Sequence, residues 1–93
     1  MRQRVIRLLF DREQGIGLSI YRYNMGSGSG EEIRDPWRRA ETFEVEPGVY
    51  DWSRDRNALW VMKAARQAGA DTFVAFANSP PARMTRSGLV SGA

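Results

Sequence analysis

The 93-residue sequence contains no cysteine and no histidine, and lysine supplies one of its 14 basic residues, Lys63. Those absences remove disulfide scaffolds, zinc sites, Ser-His-Asp triads, cysteine nucleophiles and haem ligation, because the side chains these chemistries require are missing. Carboxylate, hydroxyl, amide and cationic chemistry remain. There is also no run near the roughly 18 consecutive apolar residues of a membrane span, and Met1-Arg2-Gln3-Arg4 leads into charge rather than an apolar signal core. Neither a membrane nor a targeting signal is expected. At the other end Ser91-Gly92-Ala93 offers no element to tie it down, so the sequence reads as part of a longer chain.

What is present is an ordinary globular composition, 42% apolar and 27% charged. The net charge of +3 comes from arginines scattered among acidic residues, not from a basic stripe, so nucleic acid is not an expected partner. A complete (β/α)₈ barrel takes roughly 250 residues, so any such fold could only be present in part.

Val5, Ile6, Leu8, Leu9 and Phe10 suit an amphipathic helix from Gln3 to Glu13, stopped by Gly15. Ile16 to Tyr23 reads as a strand, near-continuously apolar and so expected to be buried on both faces. Side-chain alternation puts Leu18, Ile20, Arg22 and Asn24 on one face, the apolar pair directed into a core and Arg22 at its rim. Asn24 to Pro47 reads as a long irregular region that starts at Gly26-Ser27-Gly28-Ser29-Gly30 and is anchored by Trp37 and Phe43.

A helix is expected from Arg54 to Ala68, capped by Ser53 or Asp51 with Asp55 in its first turn. Its apolar stripe is Ala58, Val61, Met62, Ala65 and Ala68; Trp60 falls off it and is expected to pack against a neighbouring element. Gly69 is the expected C′ residue. Asp71 to Ala77 is a second buried strand, ended by Asn78-Ser79-Pro80-Pro81. Strand, helix, strand implies a right-handed crossover and parallel pairing, an α/β fold.

Three chemical readings compete. Gly26-Ser27-Gly28-Ser29-Gly30 lacks the G-x-G-x-x-G spacing of a dinucleotide site, and Pro36 breaks the helix that would hold the phosphate. Glu31, Glu32, Glu41, Glu44 and Glu46 lie in the long loop rather than at strand ends, and read as solvated rather than as a glycosidase acid and nucleophile. The polar residues ending both strands are the third. Arg22 and Asn24 close the first and Asn78-Ser79 the second, and ligands bind at the carboxyl ends of parallel strands.

From Gly17-Leu18-Ser19-Ile20-Tyr21-Arg22-Tyr23-Asn24-Met25-Gly26, through Pro36-Trp37-Arg38-Arg39, Tyr50-Asp51-Trp52-Ser53 and Gly69-Ala70, to Phe76-Ala77-Asn78-Ser79-Pro80-Pro81-Ala82-Arg83-Met84-Thr85-Arg86-Ser87-Gly88, the sequence resembles glycoside hydrolase family 30. Its endo-β-1,6-galactanase-like branch is the most similar one. The resemblance implies a partial (β/α)₈ TIM barrel of about two βα units within residues 1–93, the N-terminal part of a catalytic domain.

The implied activity is that of a retaining β-glycosidase on a β-linked polysaccharide or oligosaccharide, exported to the periplasm or outside the cell, with no cofactor and no metal. In the family the catalytic glutamates end the fourth and seventh strands, the first directly after an asparagine. Asn24, Asn57 and Asn78 precede Met, Ala and Ser here, so no catalytic residue is assigned and the chain alone is expected to be inactive. Arg22 would hydrogen-bond near the nucleophile, Asn24 and Asn78 would line the sugar cleft, and Trp37, or Trp52, would stand in for an aromatic pair that Ala82 and Arg83 replace. A non-catalytic carbohydrate-binding or interaction protein derived from the same barrel is the alternative.

Overall fold

The computed structural model describes residues 1–28 and 32–91. It is an α/β arrangement of helix α1 (Arg2–Phe10), strand β1 (Ile20–Met25), a hairpin of β2 (Glu44–Glu46) and β3 (Val49–Tyr50), helix α2 (Arg56–Ala68) and strand β4 (Thr72–Ala77). Strands β1 and β4 pair in parallel, as the crossover through α2 requires. The chain divides into two compact units, one of Met1–Tyr23 with Arg56–Ala75, the other of Asn24–Asp55 with Phe76–Ala93.

The first unit is built on an apolar core. Ile6 and Phe10, one helical turn apart on α1, meet Ala64 and Ala65 of α2 and Ala70 beyond it. The alanines keep the α2 surface low, so α1 can lie close; Ala65 is 0% exposed. Tyr21 of β1 packs on this cluster, its ring 6.2 Å from Phe10 and 6.3 Å from Phe73 of β4. Trp60 does pack against a neighbouring element, which is α1: Arg2 places its guanidinium 4.1 Å from the indole centroid.

Helix α1 ends at Phe10 rather than Glu13, because the Asp11 carboxylate takes the N–H groups of Glu13 and Gln14, each at 2.8 Å, and turns the chain away. Gly15 therefore is not the helix stop. It lies across the end of the helix, where a β-carbon would stand 2.3 Å from the Arg7 carbonyl oxygen. Gly69 is the C′ residue expected: the Ala70 N–H reaches Ala65 O at 2.9 Å and the Gly69 N–H reaches Arg66 O at 3.3 Å, a Schellman pair, with φ at +139°.

Five expectations about the strands and α2 need correction. Strand β1 begins at Ile20, not Ile16, because Gly17 at φ +68° breaks the extended path, and it runs on to Met25. Neither β1 nor β4 is buried on both faces, and the Leu18 and Ile20 side chains do not enter a core: Ile20 is 60% exposed. The helices contribute their core to the Tyr21 face, and the described residues supply no second layer for the other. Helix α2 begins at Arg56 rather than Arg54. Asp51 holds the Ser53 N–H and hydroxyl in a turn ahead of the helix, and Asp55, at φ +56°, precedes it, so neither Asp51 nor Ser53 caps it.

The second unit contains ordered structure in place of the irregular loop that the sequence predicts. Pro36–Arg38 form one 3₁₀ turn, begun by Asp35, whose carboxylate accepts the Trp37 N–H at 3.0 Å. Glu44 pairs with Tyr50 and Glu46 with Val49 in an antiparallel hairpin with a bulge. Pro47 and Gly48 turn it, Gly48 at φ +77°, a combination that type II turns favour. Ser29, Gly30 and Glu31 lie outside the described residues.

Candidate functional site

Where β1 and β4 end, the second unit holds a cavity of about 670 Å³. Gly26, one residue past β1, and Asn78 to Pro80, directly past β4, form part of its lining together with Glu32, Arg34, Asp35 and Val90. The carboxyl ends of parallel strands are where α/β proteins bind ligands, since strands fix the positions from which loops project. Gly26 permits the close wall there: a β-carbon would lie 2.4 Å from the Glu41 carbonyl oxygen.

The lining mixes acceptors and donors. Its two described carboxylates are already engaged by the backbone, Glu32 by the Val90 N–H at 3.2 Å and Asp35 by the Trp37 N–H at 3.0 Å. They build the wall, and Arg34, Asn78 and Ser79 add further donors and acceptors around them.

The expected site residues are only partly brought together. Asn78 lines the cavity; Arg22, Asn24 and Trp37 do not, although all four are exposed. Nor does Trp37 anchor the loop as expected: it is 93% exposed, and the fixed part of the residue is its backbone N–H, held by Asp35. Phe43 does anchor. Its ring lies 5.3 Å from that of Trp52, which in turn stacks on Tyr50 at 5.3 Å and 7°.

Glu44 also departs from expectation. It belongs to β2, not to a solvated loop, and its side chain is 17% exposed. The Gly48 N–H and the Arg83 guanidinium both bond to its carboxylate and hold it below the usual glutamate range. Thirty-nine positions separate Glu44 from Arg83, and no spacing rule relates them. Val90 and Ser91 likewise join the lining from a segment without periodic signal.

The comparisons with known proteins agree in kind. No curated protein matches the chain. A solved structure described as a conserved exported protein from Bacteroides fragilis superposes with a TM-score of 0.85 at 36% identity, covering 94% of this chain. The chain spans 20% of that protein's length. The model of O-Glycosyl hydrolase family 30 matches residues 10–92. With nearly the whole sequence matched, the chain belongs to O-glycosyl hydrolase family 30.

Proposed function

We propose that the chain is the N-terminal part of the (β/α)₈ catalytic barrel of an exported retaining β-glycosidase of endo-β-1,6-galactanase-like specificity, and that it supplies saccharide-binding surface rather than the catalytic carboxylates. The observation that carries this reading is the strand-end cavity, flanked by Asn78 and lined by groups of both hydrogen-bonding senses, in a member of a glycosyl hydrolase family. In the complete enzyme a glutamate contributed by another segment would attack the anomeric carbon while a second protonates the departing glycosidic oxygen. Water, deprotonated by the second group, would then release the sugar with its configuration retained. Asn78 and Asn24 bind and orient substrate in this scheme, Trp37 offers a stacking face, and Arg22 favours the ionised nucleophile.

The test is hydrolysis of β-1,6-galactan by the 93-residue chain and by the polypeptide extended through its downstream reading frame. Activity is expected in the extended protein alone, with an Asn-Glu pair about one βα unit beyond residue 93, given roughly 30 residues per unit. An extended protein that binds galacto-oligosaccharide yet hydrolyses no β-linked substrate would replace this reading with the non-catalytic carbohydrate-binding one.

A further inference from the structure

Residues 78–91 form one wall of the cavity, since Asn78 to Pro80 at one end and Val90 and Ser91 at the other both line it. Three side chains fasten that wall. At its start the Ser27 hydroxyl donates to the Ser79 carbonyl oxygen, and at its end the Glu32 carboxylate accepts the Val90 N–H at 3.2 Å. Between them Arg83 gives Nη2 to both oxygens of Glu44, at 2.9 and 3.1 Å. The segment also braces itself, with the Thr85 hydroxyl at 2.9 Å from the carbonyl oxygens of both Ala82 and Leu89.

The ion pair differs from the other exposed pairs in how it is built. Arg12–Asp71 has side chains 65% and 60% exposed, and such a pair contributes little. Glu44 is mostly shielded and is prearranged before Arg83 arrives: the Gly48 N–H in the hairpin turn holds Oε1 at 3.1 Å. A carboxylate already oriented by its own hairpin loses less freedom on pairing, and a shielded charge leaves a larger penalty when its partner is removed.

We infer that Glu44 and Arg83 are positioning residues for the cavity, the hairpin turn acting through them to set where Asn78 and Ser79 stand toward a bound saccharide. This rests on the proposed function for the identity of the ligand, though not for the fastening itself. No hydrogen bond to substrate is assigned to either residue.

Amide hydrogen exchange on the polypeptide extended through its downstream reading frame tests the fastening, read in peptides from 78–91 and, as an internal control, from α2. In Arg83→Met and Glu44→Gln the first set is expected to exchange about tenfold faster while α2 keeps its protection. Arg83→Lys, which keeps the charge, is expected to recover part of the loss. Unchanged exchange in 78–91 in both single variants would overturn the inference. So would an Arg83→Lys no better protected than Arg83→Met, because the two side chains fill similar space and differ in charge. A variant that loses α2 protection has unfolded, and the test then rests on the conservative Arg83→Lys.

Titration with β-1,6-galactotriose, followed on the Asn78 side-chain amide signals, completes the test. The dissociation constant should rise about fivefold or more in Arg83→Met. Equal affinity in wild type and variant would overturn the positioning role toward ligand. If wild type binds no galactotriose but the exchange pattern holds, the fastening stands and the galactan reading fails.

Discussion

The two units hold themselves together by different means. In the first, Ile6, Phe10, Ala64, Ala65 and Ala70 bury apolar surface between two helices and a strand, and its exposed ion pair adds little. In the second, Val90 is the buried hydrophobic side chain among the described residues, and order comes from carboxylates and hydroxyls that grip backbone groups: Glu32 on Val90, Glu41 on the Asp55 N–H, Asp51 on Ser53, Ser27 on Ser79. An apolar core is tolerant of what lies on its surface, whereas a polar wall is specified contact by contact. The cavity lies in the second kind of structure.

Removing the largest core side chain should separate the two regimes most strongly. Phe10→Ala, at a residue 5% exposed, is expected to cost about 3 kcal/mol or more and to be seen as a loss of helical circular dichroism at lower denaturant. A cost near zero would mean that the first unit does not depend on this core. On the proposed function, Arg22→Met in the extended polypeptide should leave the denaturation midpoint nearly unchanged while lowering kcat at least about tenfold, equivalent to about 1.4 kcal/mol. A variant with full turnover would make Arg22 a structural residue. Gly69→Ala meets a positive φ and a Phe10 carbonyl oxygen at 3.1 Å, and should cost about 1 kcal/mol in the same denaturation experiment.

Acid should produce the smallest effect and the most selective one. The Glu44 value is lowered in the folded chain, first by the Gly48 N–H and then by Arg83, so its stabilising contribution is complete above the ordinary value of 4.5. It is lost as pH falls through the lowered folded value. Asp51, lowered chiefly by the Ser53 hydroxyl, behaves in the same sense below 3.8. Amide protection in 78–91, taken relative to the intrinsic exchange rate at each pH, should therefore fall below pH 4.5 and should do so less in Glu44→Gln, which has no carboxylate to protonate.

How legible each region is in the sequence follows from the same contrast. The Gly69 end of helix α2 and the bounds of strand β4 can be read nearly to the residue, because a C′ glycine and a proline breaker are local signals, whereas the start of α2 is displaced by the Asp51 turn ahead of it. The hairpin has a signal in Pro47-Gly48 between Val45 and Val49, where a turn dipeptide sits inside an alternating pattern, but a proline and a glycine look equally like the end of order. Asn78 is legible as a polar residue ending a strand. The Glu44–Arg83 pair is not, since a contact between distant loops leaves no period, and a glutamate among other loop glutamates looks solvated until its partner is seen.

The hairpin also bears on how quickly the parallel pair can form. Strand β1 must wait for β4 until residues 26–71 have been drawn into a loop, and closing a long loop costs entropy before any strand pairing offsets it, about 0.6 kcal/mol for each doubling of length. A two-residue turn can close β2 on β3 in about 1–10 μs, and a helix such as α2 forms sooner still. Each shortens the free chain between the parallel strands before they meet. Gly48, which is no part of the β1–β4 ladder, thus sits at a position where a slower turn would delay the joining of the two strands.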